Sequence, residues 1–242
     1  MDLHGKIALV TGGATRVGRA IALALARAGA DVALHYGHSV DAARETADEI
    51  SSLGRRVELL RADLAEPAEI EALFAKVGQL FGRLDVLVNN ASLYEPTPIE
   101  TLTAESWDRQ MAVNARAPAL CVRHALGLMP SGSAIVNITD THAETGRSTF
   151  IAYSASKGAL LTLTKTLARA LAARNIRVNA VGPGVAAWPP TATEAVKAKV
   201  LAQVPLGRAG RPEDIAAAVV FLASHDYITG QHLRVDGGWH MT

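Results

Sequence analysis

The stretch IALVTGGATRVG, residues 7–18, decides the fold. Its first four residues form a continuous apolar run, the pattern of a strand buried on both faces. Thr11-Gly12-Gly13 ends that run in a tight turn. From 17 to 28 apolar residues recur at helical spacing, until Gly29 supplies a stop. Strand, glycine turn and helix in this order are the opening of a phosphate-cradling unit. Glycines let backbone N–H groups approach a pyrophosphate, whose charge the helix N-terminus favours. A turn that merely reverses the chain is the plainer alternative.

Working outward, short β-rich runs alternate with longer helical ones. The patterns predict strands at 32–36, 57–60, 85–88, 133–138, 176–181 and 233–235, and helices at 40–53, 66–81, 104–128, 150–174 and 212–223. Pro118 is expected to kink or restart the helix at 104–128. Such alternation calls for an α/β fold, a Rossmann-type doubly wound parallel sheet with helices on both faces. No linker, repeat or low-complexity segment interrupts it, so residues 1–242 read as a single domain. Ligands of such sheets bind beyond the carboxyl ends of the strands. That gathers residues 11–18, 35–39, 89–95 and 139–149 on one rim, with 182–193, rich in proline and small residues, as a flap.

Composition narrows the partners. Hydrophobic residues are 49% and charged residues 19%, a globular balance. A net charge of +1 leaves no excess for a polyanion, so no nucleic acid partner is expected. No apolar run approaches the roughly 18 residues of a membrane span, so no membrane partner is expected either. One cysteine, Cys121, excludes an internal disulfide and suits a reducing compartment. Residues 1–5 lack the pattern of a signal peptide, and the expectation is a cytoplasmic protein. No metal site is assigned.

The end of the second strand bears on cofactor choice. An NAD site places Asp or Glu there to bond the ribose 2′-OH. Here His35-Tyr36-Gly37-His38-Ser39 holds no carboxylate before Asp41. Ser39 and the two imidazoles can donate to a 2′-phosphate, so NADPH is expected, although His38 also reads as a surface loop residue. Asp63-Leu64 is placed to meet the adenine edge, or Asp63 is an acidic helix cap. Arg16 is either a solvated helix-start arginine or a guanidinium aimed at phosphate or substrate.

Tyr153 and Lys157 stand four apart at the start of a helix and share one face. A free phenol has a pKa near ~10, and a fixed ammonium lowers it, so the pair reads as a proton donor and its tuner. Alone, the spacing is common. Together, Thr11-Gly12 with Gly18, Asn89-Asn90-Ala91, Asn114, Tyr153 with Lys157, Pro183-Gly184 and Val235-Asp236-Gly237-Gly238 resemble the short-chain dehydrogenase/reductase family across essentially the whole chain.

Four departures narrow the resemblance. The family has a serine thirteen residues before the tyrosine, where this chain has Asp140. Arg16 replaces a glycine of the first turn, the second strand ends His35-Tyr36 with Ser39 behind, and the fourth leads into Asn90-Ala91-Ser92-Leu93-Tyr94. Together these are similar to the pteridine reductase and dihydromonapterin reductase branch. A serine hydroxyl donates to an oxyanion, whereas an ionised carboxylate only accepts and repels it. Asp140 therefore suits proton delivery to a ring nitrogen, unless it is protonated or turned away as a cap.

The resemblance implies further roles. Gly12, Thr15, Arg16, Val17, Gly18, Asn90, Ala91, Lys157, Pro183 and Gly184 would hold the cofactor. Asn114 would order the Lys157 end of a proton relay. Ser92, Tyr94 and Phe150 would contact substrate, with Arg16 reaching both ligands and Tyr94 stacking on a pterin, unless it is a loop anchor with its ring in the core. Trp188 either closes over substrate or lies at a subunit contact. A homotetramer is implied, with the Tyr153 helix and Gly237-Gly238 at its contacts.

The expectation is thus an NADPH-dependent reductase of oxidised or dihydropterins, with dihydrofolate as a further candidate. The alternative is a carbonyl or 3-oxoacyl thioester reductase. A non-catalytic dinucleotide sensor is a third class, which would have no need of Asn114, Tyr153 and Lys157 as a relay.

Overall fold

The computed structural model describes residues 1–188 and 192–241. Among these, the strands β1 (Ile7–Val10), β2 (Asp31–Tyr36), β3 (Val57–Arg61), β4 (Val86–Asn89), β5 (Ala134–Ile138), β6 (Arg177–Pro183) and β7 (His232–Val235) form one seven-stranded sheet. Its order is β3-β2-β1-β4-β5-β6-β7, and every pairing is parallel. The order reverses between β1 and β4, which opens a crevice at their carboxyl ends.

The apolar runs are continuous because alternate side chains enter two different cores. In β1, Ala8 and Val10 face one layer while Ile7 and Leu9 face the other. Val86 and Val88 of β4 divide from Leu87 in the same way, as Val136 and Ile138 of β5 divide from Ile135. The first layer is built by α1 (Arg16–Arg27) and α8 (Pro212–Ser224), through Ile21, Leu25, Ile215 and Val219. On the other face lie α3 (Pro67–Phe81) and α5 (Ala117–Ala125), through Ile70, Leu73, Val77, Cys121 and Val122. Helices α2 (Val40–Ser52), α4 (Ala104–Met111), α6 (Ile151–Leu171) and α7 (Glu194–Leu201) complete the set among the described residues. No helix among them is long and apolar enough to cross a membrane.

Three local expectations are corrected. Within 104–128 the expected restart at Pro118 is found, but a further break precedes it. A π turn, Ala112–Arg116, separates α4 from α5, and Pro118 sits in the first turn of α5. In a regular helix the N–H of residue 118 would serve the carbonyl of Asn114, and proline has none. The wider turn thus lies before the proline and turns Asn114 inward, fully buried. The helix also ends early, because Leu128 leaves it to accept from the Leu84 backbone N–H at 2.9 Å. Past 171, α6 tightens into a 3₁₀ turn, Ala172–Arg174, stopped by Asn175 in a left-handed conformation. Helix α7 lacked a signal because none of its residues is buried and its apolar side chains make no stripe. Residues 189–191 of the expected flap lie outside the described residues.

Leu87, central in the sheet and fully buried, provides a test of this packing. Leu87→Ala is expected to lower unfolding stability by about 2–5 kcal/mol, read as a reduced urea midpoint with an unchanged m-value. A loss under about 1 kcal/mol would contradict the packing described.

Candidate active site

The glycine turn is held from three directions. Thr11 Oγ1 accepts from the backbone N–H groups of Asn90 (2.9 Å) and Ala91 (3.1 Å), while Asn90 Nδ2 donates to the carbonyls of Thr11 (2.9 Å) and Gly12 (3.1 Å). This ties β1 to β4 at the switch point. Gly12 has φ +61°, which favours glycine. A Cβ on Gly18 would lie 2.0 Å from the Gly12 carbonyl oxygen, so the first turn of α1 closes on the loop only without a side chain. Such a cradle, bare of Cβ atoms at a helix N-terminus, fits a pyrophosphate.

The turn borders a cavity of about 830 Å³ that runs along the carboxyl rim. Its wall includes Gly12, Thr15, Arg16, Val17, Gly18, His35, His38, Asp63, Leu64, Asn90, Ala91, Pro183 and Gly184, all expected at a cofactor. Tyr36 and Ser39 are not in the wall. Tyr36 packs beside the apolar core, and Ser39 stands at the start of α2. His35 lines the cavity but has no ring nitrogen free for a phosphate. Its Nδ1 accepts from Gly12 N–H (3.0 Å), which places the proton on Nε2, facing the Ala62 carbonyl (3.0 Å). Burial pushes its pKa below the ordinary histidine value, against the Ala62 bond. His35 is a neutral brace for the turn, a correction to the donor role expected of it.

Arg61 was missed, and it lines the same end of the cavity. It is the register partner of Tyr36 at the end of β3. A basic residue closing the third strand was the available signal. Asp63 lies in the wall and accepts from Ala65 N–H at 2.9 Å, closing a turn ahead of α3, whose cap position is Glu66 and not Asp63. Arg16 is exposed at the start of α1, yet its side chain is held. At φ +52° it donates through Nη2 to the Ala187 carbonyl (2.9 Å), joining the glycine turn to the 182–188 segment.

At the other end stand Tyr153, Asp140 and Lys157, carried by α6 and the loop after β5. Tyr153 Oη donates to Asp140 Oδ2 at 2.9 Å. Asp140 Oδ1 accepts from the His142 backbone N–H at 2.7 Å, and His142 Nδ1 lies 3.5 Å away. Burial alone would raise the Asp140 pKa, but these bonds from His142 and Tyr153 outweigh it and hold the group below the usual carboxylate range. Asp140 is therefore ionised and faces the phenol. The loop N–H it caps belongs to its own turn, so capping and facing the site coexist.

Lys157 does not lower the phenol, and that expectation is corrected. Its Nζ donates to the Ile138 carbonyl at 2.8 Å and lies 5.6 Å from the Tyr153 ring centroid. Burial brings the Lys157 pKa down to about 8, with Asp140 acting against the fall. Burial and the Asp140 carboxylate push Tyr153 well above the ordinary phenol value. The proton stays on Tyr153 at neutral pH, so the group is poised as an acid.

Asn114 is also placed differently from a relay partner of Lys157. Its Nδ2 donates to the Leu93 carbonyl (2.9 Å) and Ser156 Oγ (3.0 Å), and its Oδ1 accepts from Leu93 N–H (2.8 Å) and Ser92 Oγ (3.1 Å). The side chain clamps the 92–93 loop to α6. Beyond the clamp, Tyr94 stacks on Phe150 (centroids 4.3 Å apart, 10° between planes) and meets Tyr153 edge-on at 4.7 Å. One face of Tyr94 is thus covered by Phe150. Ser92, Tyr94, Phe150 and Trp188 all line the cavity. So do Arg147 and Trp239, which the sequence reading did not single out.

The Lys157 shift has a sign that can be checked. Below pH 8 the folded and unfolded chains both hold the proton. Between about 8 and 10.5 the unfolded chain still binds a proton that the folded chain has released, so stability rises with pH. Relative to Lys157→Met, the native protein should gain about 1.4 kcal/mol per pH unit across that window, measured by urea unfolding. A flat difference would contradict the burial argument.

Comparison with known proteins adds the family. Residues 12–240 match the family model described as enoyl-(acyl carrier protein) reductase. The 3-oxoacyl-(acyl-carrier-protein) reductase FabG of Staphylococcus aureus is 37% identical over 242 residues, covering 98% of each chain. A blue fluorescent protein from a metagenomic library, crystallised with NADPH, superposes with a TM-score of 0.93 at 39% identity over 99% of both chains. The angucycline C-6 ketoreductase LanV, with bound NADP, gives 0.94 at 37% identity, covering 100% of this chain and 98% of that one. None of these relatives is named a pteridine reductase. On this match, and on the sheet and site it accompanies, the chain belongs to the short-chain dehydrogenase/reductase family of NAD(P)-dependent oxidoreductases.

Proposed function

We propose that the chain is an NADPH-dependent reductase acting on a ring C=N bond, with pterins, dihydropterins or dihydrofolate as substrates. The observation that carries this reading is the hydrogen bond from Tyr153 to an ionised Asp140. A carboxylate beside the proton donor repels a developing alkoxide but accepts from the N–H groups of a heterocycle. Tyr153 keeps its proton at neutral pH and gives it to the ring nitrogen. Lys157, bonded to the Ile138 carbonyl, would hold the cofactor rather than tune the phenol.

When bound, NADPH supplies the hydride. Backbone groups of Val17 and Gly18 and the start of α1 would hold its pyrophosphate, with Gly12 shaping the turn beneath it, while Asp63 and Leu64 would meet the adenine. His38 and Arg61, with no carboxylate at the end of β2, suit a 2′-phosphate rather than a free hydroxyl. Asn90, Ala91, Lys157, Pro183 and Gly184 would surround the nicotinamide end. NADPH and NADP in the two similar crystal structures support the same choice. A single domain over 1–242, a homotetramer and a cytoplasmic location belong to the same reading.

Carbonyl reduction is the second reading, and the named relatives favour it over the first. They are a 3-oxoacyl thioester reductase and a ketoreductase, and the family model carries an acyl-carrier description. The two readings separate on NADPH oxidation with dihydropterin, dihydrofolate and an acetoacetyl thioester. Turnover of the pterins is expected, and Asp140→Ser should lower it at least about tenfold, the loss of one charge-assisted hydrogen bond. Brisk thioester turnover without pterin turnover, or an unchanged rate in Asp140→Ser, would overturn the imine reading.

A further inference from the structure

Arg147 is a cation in the cavity wall to which no step of the reduction is assigned; its charge only offsets part of the rise in the Tyr153 pKa. Its backbone is fixed against the start of α6: its N–H donates to Ser154 Oγ (3.0 Å) and its carbonyl accepts from Phe150 N–H (3.0 Å). The side chain lines the cavity beside Tyr94, Phe150 and Trp239. Nη1 donates to the Tyr94 hydroxyl at 2.8 Å, and the guanidinium carbon lies 5.2 Å from the Phe150 ring centroid and 5.6 Å from that of Trp239. Aromatic faces orient a guanidinium without neutralising it.

No carboxylate among the described residues lies within ion-pair distance of Arg147. The acids of the loops that frame it have other partners. Glu95 faces Arg109, Glu144 faces Arg234 and Lys165, and Asp140 faces Tyr153 and His142. A partly covered cation, held rigidly in a cavity wall with N–H donors to spare, is a binding group for an anion.

We propose that Arg147 is an anion subsite, receiving a carboxylate or phosphate on the tail of the substrate while the reacting bond lies at Tyr153. This deepens the reductase reading and rests on it only for the position of the reacting bond. The same cation would serve a carboxylate-tailed heterocycle or a phosphate-tailed thioester. The substrate class it selects is one whose reacting group is joined to a distant anionic group.

Arg147→Gln keeps a donor for the Tyr94 hydroxyl and removes the charge. Two matched pairs read the result: dihydrofolate against dihydrobiopterin, and acetoacetyl-CoA against its uncharged N-acetylcysteamine thioester. In whichever pair is turned over, kcat/KM for the anionic member should fall about tenfold or more, through KM, while the neutral member changes less than about twofold. Tyr94→Phe, which removes the hydroxyl but not the charge, should not reproduce that selectivity. Added salt should narrow the native preference for the anionic member and leave the variant unaffected. Equal losses for both members would make Arg147 a brace for Tyr94 and overturn the proposal, as would no loss at all. Turnover of thioesters alone would defeat the imine reading while the thioester pair still decides the subsite. Calorimetric titration of both pairs into the NADPH-loaded protein gives the same comparison without turnover, and native protein that binds neither anionic member also overturns it.

Discussion

The site depends on the strand pair β1 and β4, whose carboxyl ends are locked together by Thr11 and Asn90. Both strands are covered on both faces, so their ends cannot shift without disturbing two cores at once. The glycine turn inherits that rigidity. Gly18 packs against the Gly12 carbonyl at a distance that excludes any Cβ, and His35 spends its ring on the turn and the third strand. The turn thereby lines the cavity in a fixed shape before any ligand arrives, which lowers the ordering cost of binding.

The reacting end is governed by burial and a single carboxylate. Three titratable groups converge there, and burial acts on all of them, raising the two acids and lowering the base. Local hydrogen bonds reverse the result for Asp140 alone, because its own loop turns the His142 N–H back onto it. The remaining pair follows from that one charge. Tyr153 is kept protonated, and Lys157 stays close enough to feel Asp140 while bonding to the Ile138 carbonyl. A serine in place of Asp140 would remove the charge that holds this arrangement.

Much of this was legible along the chain. The seven strands and most helices fall where apolar periodicity predicted, because burial on two faces leaves a simple mark. The glycine turn, Tyr153 with Lys157 and the loops of the rim were legible for the same reason: their chemistry requires particular residue types at short spacing. Helix α7, which buries nothing, left no such mark. The π turn did not either, since its sequence differs little from that of an ordinary helix before a proline. His35 was misread because its partners, Gly12 and Ala62, come from separate strands' ends. Arg61 and Arg147 were overlooked because each is an isolated basic residue, significant only through what it faces.

The linear chain determined the parallel α/β sheet, the dinucleotide-type turn and the identity of the groups that could move a proton, since each is a matter of local pattern. Which way those groups are tuned was decided only in three dimensions. A pKa answers to the dielectric and the charges within a few ångströms, and those neighbours come from β5, α6 and the loop between them. The same holds for the stacking of Tyr94 on Phe150 and for Arg147, which has no ion-pair partner among the described residues, because contacts across the fold have no fixed spacing in sequence.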